Sequence, residues 1–170
     1  HLCKHENSKI LDEISRLGLE GGYVSFGNSK FFLLMILKWL LIIDMMAVHA
    51  TSRYVLYSDL DVIWRQRPNS DDIFISKPEA TLAIQDDSTF DGRRFFCPGI
   101  MFWKNSGDSK EFIKAIFEFQ KKEIENGTDM PDDKALNYVV QSEELFHKVI
   151  PLDKKTFIIG HRFPYLMSGI

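Results

Sequence analysis

The chain has 170 residues, of which 45% are hydrophobic, and it carries a formal net charge of −3 with an isoelectric point near 6.0. This length and apolar content predict one domain with a substantial core, and 14 Phe, 5 Tyr and 3 Trp argue against a disordered chain. The acidic balance supplies no basic surface for a nucleic-acid backbone, which excludes nucleic acid as an expected partner and leaves small nucleotide-containing molecules open.

The first part of the chain is expected to alternate helices and strands. Apolar spacing indicates a helix over Ser8–Leu17, a short strand at Tyr23–Phe26 and a long apolar helix over Ser29–His49. Lys38 and Asp44 interrupt the long helix, whereas a membrane span needs about 20 predominantly apolar residues. We therefore expect a helix buried in the protein and no transmembrane segment in this chain.

An apolar, β-branched and aromatic run ends in two carboxylates. The run predicts a buried strand over Tyr54–Val62, with Asp59 and Asp61 at its carboxyl end, where ligands bind in open α/β sheets. Residues two apart can point the same way, and Mg²⁺ or Mn²⁺ prefers carboxylate and phosphate oxygens. The sequence predicts a divalent metal site for a phosphate-bearing substrate, the alternative being an ordinary solvated acid pair at a loop end.

The second half continues the alternation and predicts an α/β fold. Asp108, with Glu111 three residues later, forms the capping pattern that begins a helix, and Pro98 with Gly99 interrupts the start of a strand. Repeated helix-to-strand crossovers indicate a largely parallel sheet. The other expected elements are a turn-rich link at 65–72, a polar loop at 86–94, strands at Thr81–Gln85, Phe95–Lys104, Val149–Ile150 and Phe157–Ile159, and a helix at Asp132–Gln141.

Four segments together resemble the nucleotide-diphospho-sugar transferases, a family of GT-A-fold glycosyltransferases with a D-x-D motif. They are the helix that carries Lys38, Ser58–Trp64, Cys97–Lys104, and Asp132–Asn137, which is similar to the family's Asp-Gln-x-x-Leu/Phe-Asn pattern. The resemblance implies one GT-A-like (Rossmann-like) domain over residues 1–170, with a mostly parallel sheet flanked by helices. It also implies a piece of a longer chain that lacks the family's first strand.

The resemblance assigns a metal site and its cofactor. It implies that Asp59 and Asp61 hold Mn²⁺ or Mg²⁺ together with the donor's ribose and diphosphate. His161 follows a short apolar run, where related enzymes bring a C-terminal loop back over the metal. A histidine there would be a third ligand or a donor to the pyrophosphate, the alternative being an ordinary loop histidine.

The resemblance also assigns donor-binding residues. Lys38 would lie near the phosphates, and Asp133 would be the catalytic carboxylate that orients the transferred sugar. Ser58, Gly99 and Asn137 complete the expected donor site. The competing interpretations are a snorkelling lysine on a core helix for Lys38 and a helix N-cap for Asp133.

The expected function is metal-dependent transfer of a hexosyl or pentosyl group from a nucleotide sugar, first of all a UDP-sugar, to a glycan, protein or small-molecule hydroxyl. The resemblance implies retention of anomeric configuration and, in a eukaryote, a Golgi or secretory-pathway lumen; otherwise the expected location is cytoplasmic. Cys3 and Cys97 are compatible with one bridge or with two free thiols.

Two alternatives stay open at this point. Lys134 stands where the family usually has Gln, so a non-catalytic or truncated glycosyltransferase-like domain is the first alternative. Haloacid-dehalogenase-like phosphatases also place D-x-D after an apolar strand, with a nucleophilic Asp and an acid/base Asp. They usually carry Thr two residues after the second Asp, where this chain has Ile63. The phosphatase hypothesis is therefore less favoured than the glycosyltransferase one.

Overall fold

The structure is a computed structural model that describes residues 15–16, 29–59, 62, 64, 68–88, 94–153 and 157. Of the expected helix Ser8–Leu17 it describes only Ser15 and Arg16, both helical, and the strand expected at Tyr23–Phe26 lies outside the described residues. The described elements are α1 (Ser29–Val48), β1 (Tyr54–Ser58), α2 (Ser70–Ile75), β2 (Leu82–Asp86), β3 (Phe96–Lys104), α3 (Gly107–Glu125), α4 (Asp132–Ser142), a 3₁₀ helix (Leu145–Lys148) and β4 (Val149–Leu152).

The four described strands form one sheet in the order β1-β3-β2-β4. Strand β3 is antiparallel to both β1 and β2, and only β2 and β4 run parallel. The α/β class is as expected, but this sheet is mixed rather than mostly parallel. The connection between β2 and β3, residues 87–95, is shorter than the dozen or more residues that a parallel crossover needs, so β3 returns antiparallel.

Strand β3 is buried on both faces and divides the core in two. Its alternating side chains send Met101 and Trp103 to the side of α1, α3 and α4, and Ile100 and Phe102 to the side of Phe74. The larger cluster on the helical side holds the fully buried residues Ile36, Trp39, Ile42, Met46, Ile113, Ile116 and Leu136. The helices thus pack against the face of the sheet on which β1 presents Val55 and Tyr57.

A buried glutamine connects α1 to the segment that precedes α4. Trp39 Nε1 donates to Gln120 Oε1 at 2.7 Å, and Gln120 Nε2 donates to the carbonyl oxygen of Met130 at 2.9 Å. Gln120 is fully buried in the middle of the helical layer. Because its oxygen and its amide nitrogen both have partners, the buried side chain avoids an unsatisfied polar group and fixes three elements relative to one another.

Helix α1 combines a core-facing side with an exposed apolar side. Among the described helices, it alone contains a stretch, Lys30–Val48, long and apolar enough to cross a membrane, and 22% of that stretch is buried in the protein. Its buried side chains lie in the core, as expected for a core helix, while Leu34, Leu41, Met45 and Val48 are exposed. Core helices and membrane spans both satisfy this criterion, so the expected absence of a transmembrane segment stays a prediction.

Two helix starts differ from the sequence-based expectation. Helix α3 begins at Gly107, and Ser106 rather than Asp108 is its N-cap, since Ser106 Oγ accepts from the backbone N–H of Ser109 at 3.2 Å. Both Ser and Asp are good capping residues, so the pattern alone does not choose between them. The link expected at 65–72 instead contains the start of α2, which Asn69 caps.

Candidate functional site

Asp59 lies directly after β1, at the strand's carboxyl end. Its backbone N–H donates to the carbonyl oxygen of Gly99 on β3 at 2.8 Å, which continues the contact between the two strands. Its side chain is 40% exposed and on the same side of the sheet as Tyr57, whose hydroxyl donates to Asp59 Oδ1 at 2.7 Å. The strand therefore delivers a fixed but accessible carboxylate, as the sequence predicted.

Lys38 connects this carboxylate to a second one. Its Nζ lies 3.5 Å from Asp59 Oδ1 and donates a hydrogen bond to Asp132 Oδ2 at the start of α4. The side chains of Lys38 and Asp132 are only 10% and 5% exposed, and the Lys38 ammonium also lies 5.0 Å from the centre of the Tyr57 ring. One buried cation thus faces two carboxylates brought together from α4 and the end of β1.

Among the described residues, this cluster has two carboxylates and one ammonium group. Burial raises the pKa of the Asp132 carboxyl, and the neighbouring Lys38 ammonium opposes that rise. When both carboxylates are ionised, Lys38 compensates only one of the two negative charges. Asp59, the more exposed of the two acids, is therefore placed to attract a further cation.

A β-bulge at the start of β3 lies beside Asp59. The pairing between β2 and β3 shifts between Ile84 and Gln85, opposite the segment that contains Gly99. A Cβ atom on Gly99 would lie 3.2 Å from Asp59 Oδ2, 3.6 Å from Cys97 Sγ and 3.7 Å from Gln85 Oε1. The missing side chain therefore keeps open a small space bordered by polar atoms, which explains physically why glycine suits this position.

Asn137 joins α4 to the start of β3. Its Nδ2 donates to the carbonyl oxygens of Phe96 and Asp133 at 2.8 and 2.7 Å, and the Phe96 backbone N–H donates to Asn137 Oδ1 at 2.9 Å. The side chain is buried. The structure therefore shows Asn137 positioning α4 and β3, and the expected contact with a donor stays a prediction.

Asp132 is the α4 carboxylate beside Lys38, and the sugar-orienting role expected of its neighbour Asp133 stays a prediction. Asp133 is half-buried, and its Oδ1 accepts from the backbone N–H of Lys134 at 2.7 Å. Sequence reasoning missed Asp132, although the pattern Asp-Gln-x-x-Leu/Phe-Asn aligned on Leu136 and Asn137 puts its Asp at position 132. In that register Asp133 takes the position of the Gln, and Lys134 falls on a variable position.

The remaining expected site residues are only partly described. Ser58 is half-buried, and its Oγ lies 3.2 Å from the carbonyl oxygen of Asp59. Asp61 and His161 lie outside the described residues. Within the part of the chain that the structure describes, no group of three or more His, Cys, Asp or Glu side chains is arranged to hold a metal ion. Of the three expected metal ligands the structure describes Asp59 alone, and the metal site stays a prediction.

The mixed α/β sheet flanked by helices is similar to the fold of a solved glycosyltransferase. A glycosyltransferase involved in the glycosylation of the major capsid of PBCV-1 has a similar structure, with a TM-score of 0.56 over 91% of this chain and 78% of that chain. The two sequences are 14% identical, so this similarity concerns the fold.

The family assignment comes from the sequence match. The nucleotide-diphospho-sugar transferase family matches residues 4–166, and the chain belongs to that family. No curated protein matches the sequence. This match confirms the resemblance seen in the sequence, and the similar structure confirms the GT-A-like fold. Both support a role in glycosyl transfer. The family implies a nucleotide-sugar donor and an acceptor.

Proposed function

We propose that this protein transfers a sugar from a nucleoside-diphosphate sugar, with UDP as the first candidate nucleotide, to an acceptor hydroxyl in a reaction that depends on Mn²⁺ or Mg²⁺. The observation that carries the proposal is the cluster of Asp59, Lys38 and Asp132 at the end of β1, in a chain of the nucleotide-diphospho-sugar transferase family. With both carboxylates ionised, the described part of this cluster has an accessible carboxylate and one more negative than positive charge, which suit a divalent cation.

The donor chemistry of Asp59 fits such a cation. Carboxylate oxygens are preferred ligands of Mg²⁺ and Mn²⁺, and Asp59 Oδ2 borders the open space beside Gly99. We propose Asp61 and His161 as its further ligands. A bound divalent cation would supply charge that offsets the leaving diphosphate.

The chain's own residues would hold the donor around this point. Lys38 pairs with Asp132 and lies 3.5 Å from Asp59 Oδ1, and we place it near the donor's phosphates, where its charge limits the repulsion between these carboxylates and the phosphates. We assign Asp133, half-buried at the first turn of α4, to the hydroxyls of the transferred sugar, since a carboxylate accepts hydrogen bonds from hydroxyls. In the retaining reaction that we propose, the leaving diphosphate assists the acceptor hydroxyl, so a separate base is not required.

Calorimetric titration with UDP, with and without Mn²⁺, tests the proposal. Asp59→Asn keeps the size of the side chain and removes its charge, and we expect it to abolish the Mn²⁺-dependent binding. Asp71→Asn is the matched control, because Asp71 is also partly exposed and ion-paired, with Arg53 at 2.7 Å, but lies outside the site. The control should bind as the unmodified chain does.

The same titration separates the alternatives. Binding that persists unchanged in Asp59→Asn would contradict the proposed site. Metal-dependent UDP binding without hydrolysis or transfer of any UDP-sugar would favour a non-catalytic domain. Hydrolysis of a simple phosphate monoester such as p-nitrophenyl phosphate, lost in Asp59→Asn, would instead favour the phosphatase reading.

A further inference from the structure

Tyr57 contacts the site without having been assigned to it by the sequence. It lies near the end of β1, half-buried against the helical layer, two residues before Asp59 and on the same side of the sheet. Its hydroxyl donates to Asp59 Oδ1 at 2.7 Å, and the ammonium of Lys38 lies over its ring. Phenylalanine at this position would keep the ring beside Lys38 and lose the hydrogen bond to Asp59.

The two oxygens of Asp59 have different surroundings. Oδ1 receives the Tyr57 hydrogen bond and lies 3.5 Å from Lys38 Nζ, so protein groups already engage it. Oδ2 lies 3.2 Å from the place where a Cβ on Gly99 would be, beside the space that this glycine leaves open. Among the described residues, the contacts of this carboxylate with Tyr57 and Lys38 fall on Oδ1, while Oδ2 faces Gly99.

We propose that Tyr57 is a positioning residue that fixes Asp59 through Oδ1 and thereby presents Oδ2 to the cation of the nucleotide-sugar complex. The inference rests on the proposed function. The terminal torsion of an aspartate is broad, so a free carboxylate samples many orientations, and a hydrogen bond to one oxygen narrows them. Partners that orient a metal-binding side chain in this way typically change metal affinity roughly 10- to 100-fold when they are removed.

The test compares two hydroxyl deletions on one strand. Tyr57→Phe removes the hydroxyl that reaches Asp59 and keeps the ring under Lys38. Tyr54→Phe is the matched control, because the Tyr54 hydroxyl neighbours Asp71 instead and its ring stacks on Phe74 at 5.2 Å between ring centres. Mn²⁺ binding is measured by the paramagnetic resonance signal of free Mn²⁺, with and without UDP, and folding by thermal melting.

We expect Tyr57→Phe to weaken Mn²⁺ binding at least about tenfold while it still melts cooperatively, and Tyr54→Phe to bind Mn²⁺ as the unmodified chain does. Equal Mn²⁺ affinities of the unmodified chain and Tyr57→Phe would overturn the positioning role and leave the proposed function standing. If the unmodified chain bound no Mn²⁺ either with or without UDP, the proposed function would fail, and this inference with it.

Discussion

Lys38 and Asp132 form a buried ion pair between α1 and α4, across 94 positions of sequence. The pair connects the helix that precedes the acidic strand to the last described α-helix, and Asp59 Oδ1 lies 3.5 Å from the same ammonium. Because both charged groups are almost entirely removed from water, each depends on the other more strongly than surface partners do.

Replacing Lys38 by Met should destabilise the fold strongly. The change leaves Asp132 as a buried carboxylate without its cation, and losing one partner of a buried pair costs about 3–5 kcal/mol. Chemical denaturation measures the loss. Lys114→Met is the control, because its pair with Glu111 is exposed and such helical pairs contribute about 0.2–0.5 kcal/mol. Similar losses in both variants would contradict a structural role for the buried pair.

Gly99→Ala should weaken metal-dependent UDP binding more than it weakens the fold. The new methyl group would approach Asp59 Oδ2 to 3.2 Å, closer than most real Cβ contacts, and would fill the space beside that oxygen. Gly107→Ala is the matched control, because no atom of the described residues lies within 4 Å of the Cβ that alanine would add, and alanine in a helix is favoured over glycine by up to about 1 kcal/mol. Calorimetry with UDP and Mn²⁺ measures binding, and unchanged affinity in Gly99→Ala would show that the space is not used.

Asn137→Ala should lower the free energy of unfolding by at least about 2 kcal/mol. The truncation leaves the buried backbone N–H and carbonyl of Phe96 without their side-chain partner, and an unsatisfied buried polar group costs about 1–3 kcal/mol. Gln141→Ala, an exposed change on the same helix, is the comparison. If urea denaturation gave the two variants equal stability, Asn137 would not hold α4 against β3.

The pH dependence of stability should carry the signature of Asp132. Burial raises its folded-state pKa above the ordinary value of 3.8, so the folded protein binds this proton more tightly than the unfolded chain does. The contribution of this group to stability is therefore greatest below the ordinary value and declines as the pH rises through the raised pKa. Asp132→Asn removes the titration.

Denaturation of the unmodified chain and of Asp132→Asn, from about pH 3 to about pH 7, measures this contribution as the difference between their unfolding free energies. We expect the unfolding free energy of the unmodified chain, relative to that of Asp132→Asn, to fall as the pH rises. Asp72→Asn, at an exposed position of α2, controls for loss of an acid at the surface. If this relative unfolding free energy instead rose with pH, the attraction of Lys38 would have a larger effect on the pKa of Asp132 than burial has.

Local sequence signals predicted the main elements and the first carboxylate. Helix α1, strand β3 and helix α4 lie within two residues of their expected bounds, because hydrophobic periodicity reports local burial. Strand β1 is shorter than expected and ends at Ser58, yet Asp59 still falls at its carboxyl end. The strand is also half-buried, with Leu56 42% exposed, rather than buried as expected, so it was the apolar run in the sequence that located Asp59.

The sequence did not predict the direction of β3 or the partner of Lys38, because both depend on contacts between distant parts of the chain. The direction of β3 depends on how the chain returns after β2, which apolar alternation does not specify. Asp132 and Asp133 are adjacent acids at a helix start, and only packing against Lys38 shows which one is buried. The pattern therefore placed the acidic helix start correctly and did not show that Asp132 pairs with Lys38, while the role expected of Asp133 stays a prediction.

The buried amide of Gln120 extends the site beyond the residues that would meet a donor. It accepts from Trp39, the neighbour of Lys38, and donates to Met130, two residues before Asp132. Both ends of the charge cluster are therefore anchored a second time, through uncharged contacts that neither salt nor pH weakens. A Lys–Asp pair moved into another protein would therefore also need the equivalents of Trp39 and Gln120, because these two side chains hold the helix that carries Lys38 and the segment before Asp132 in place.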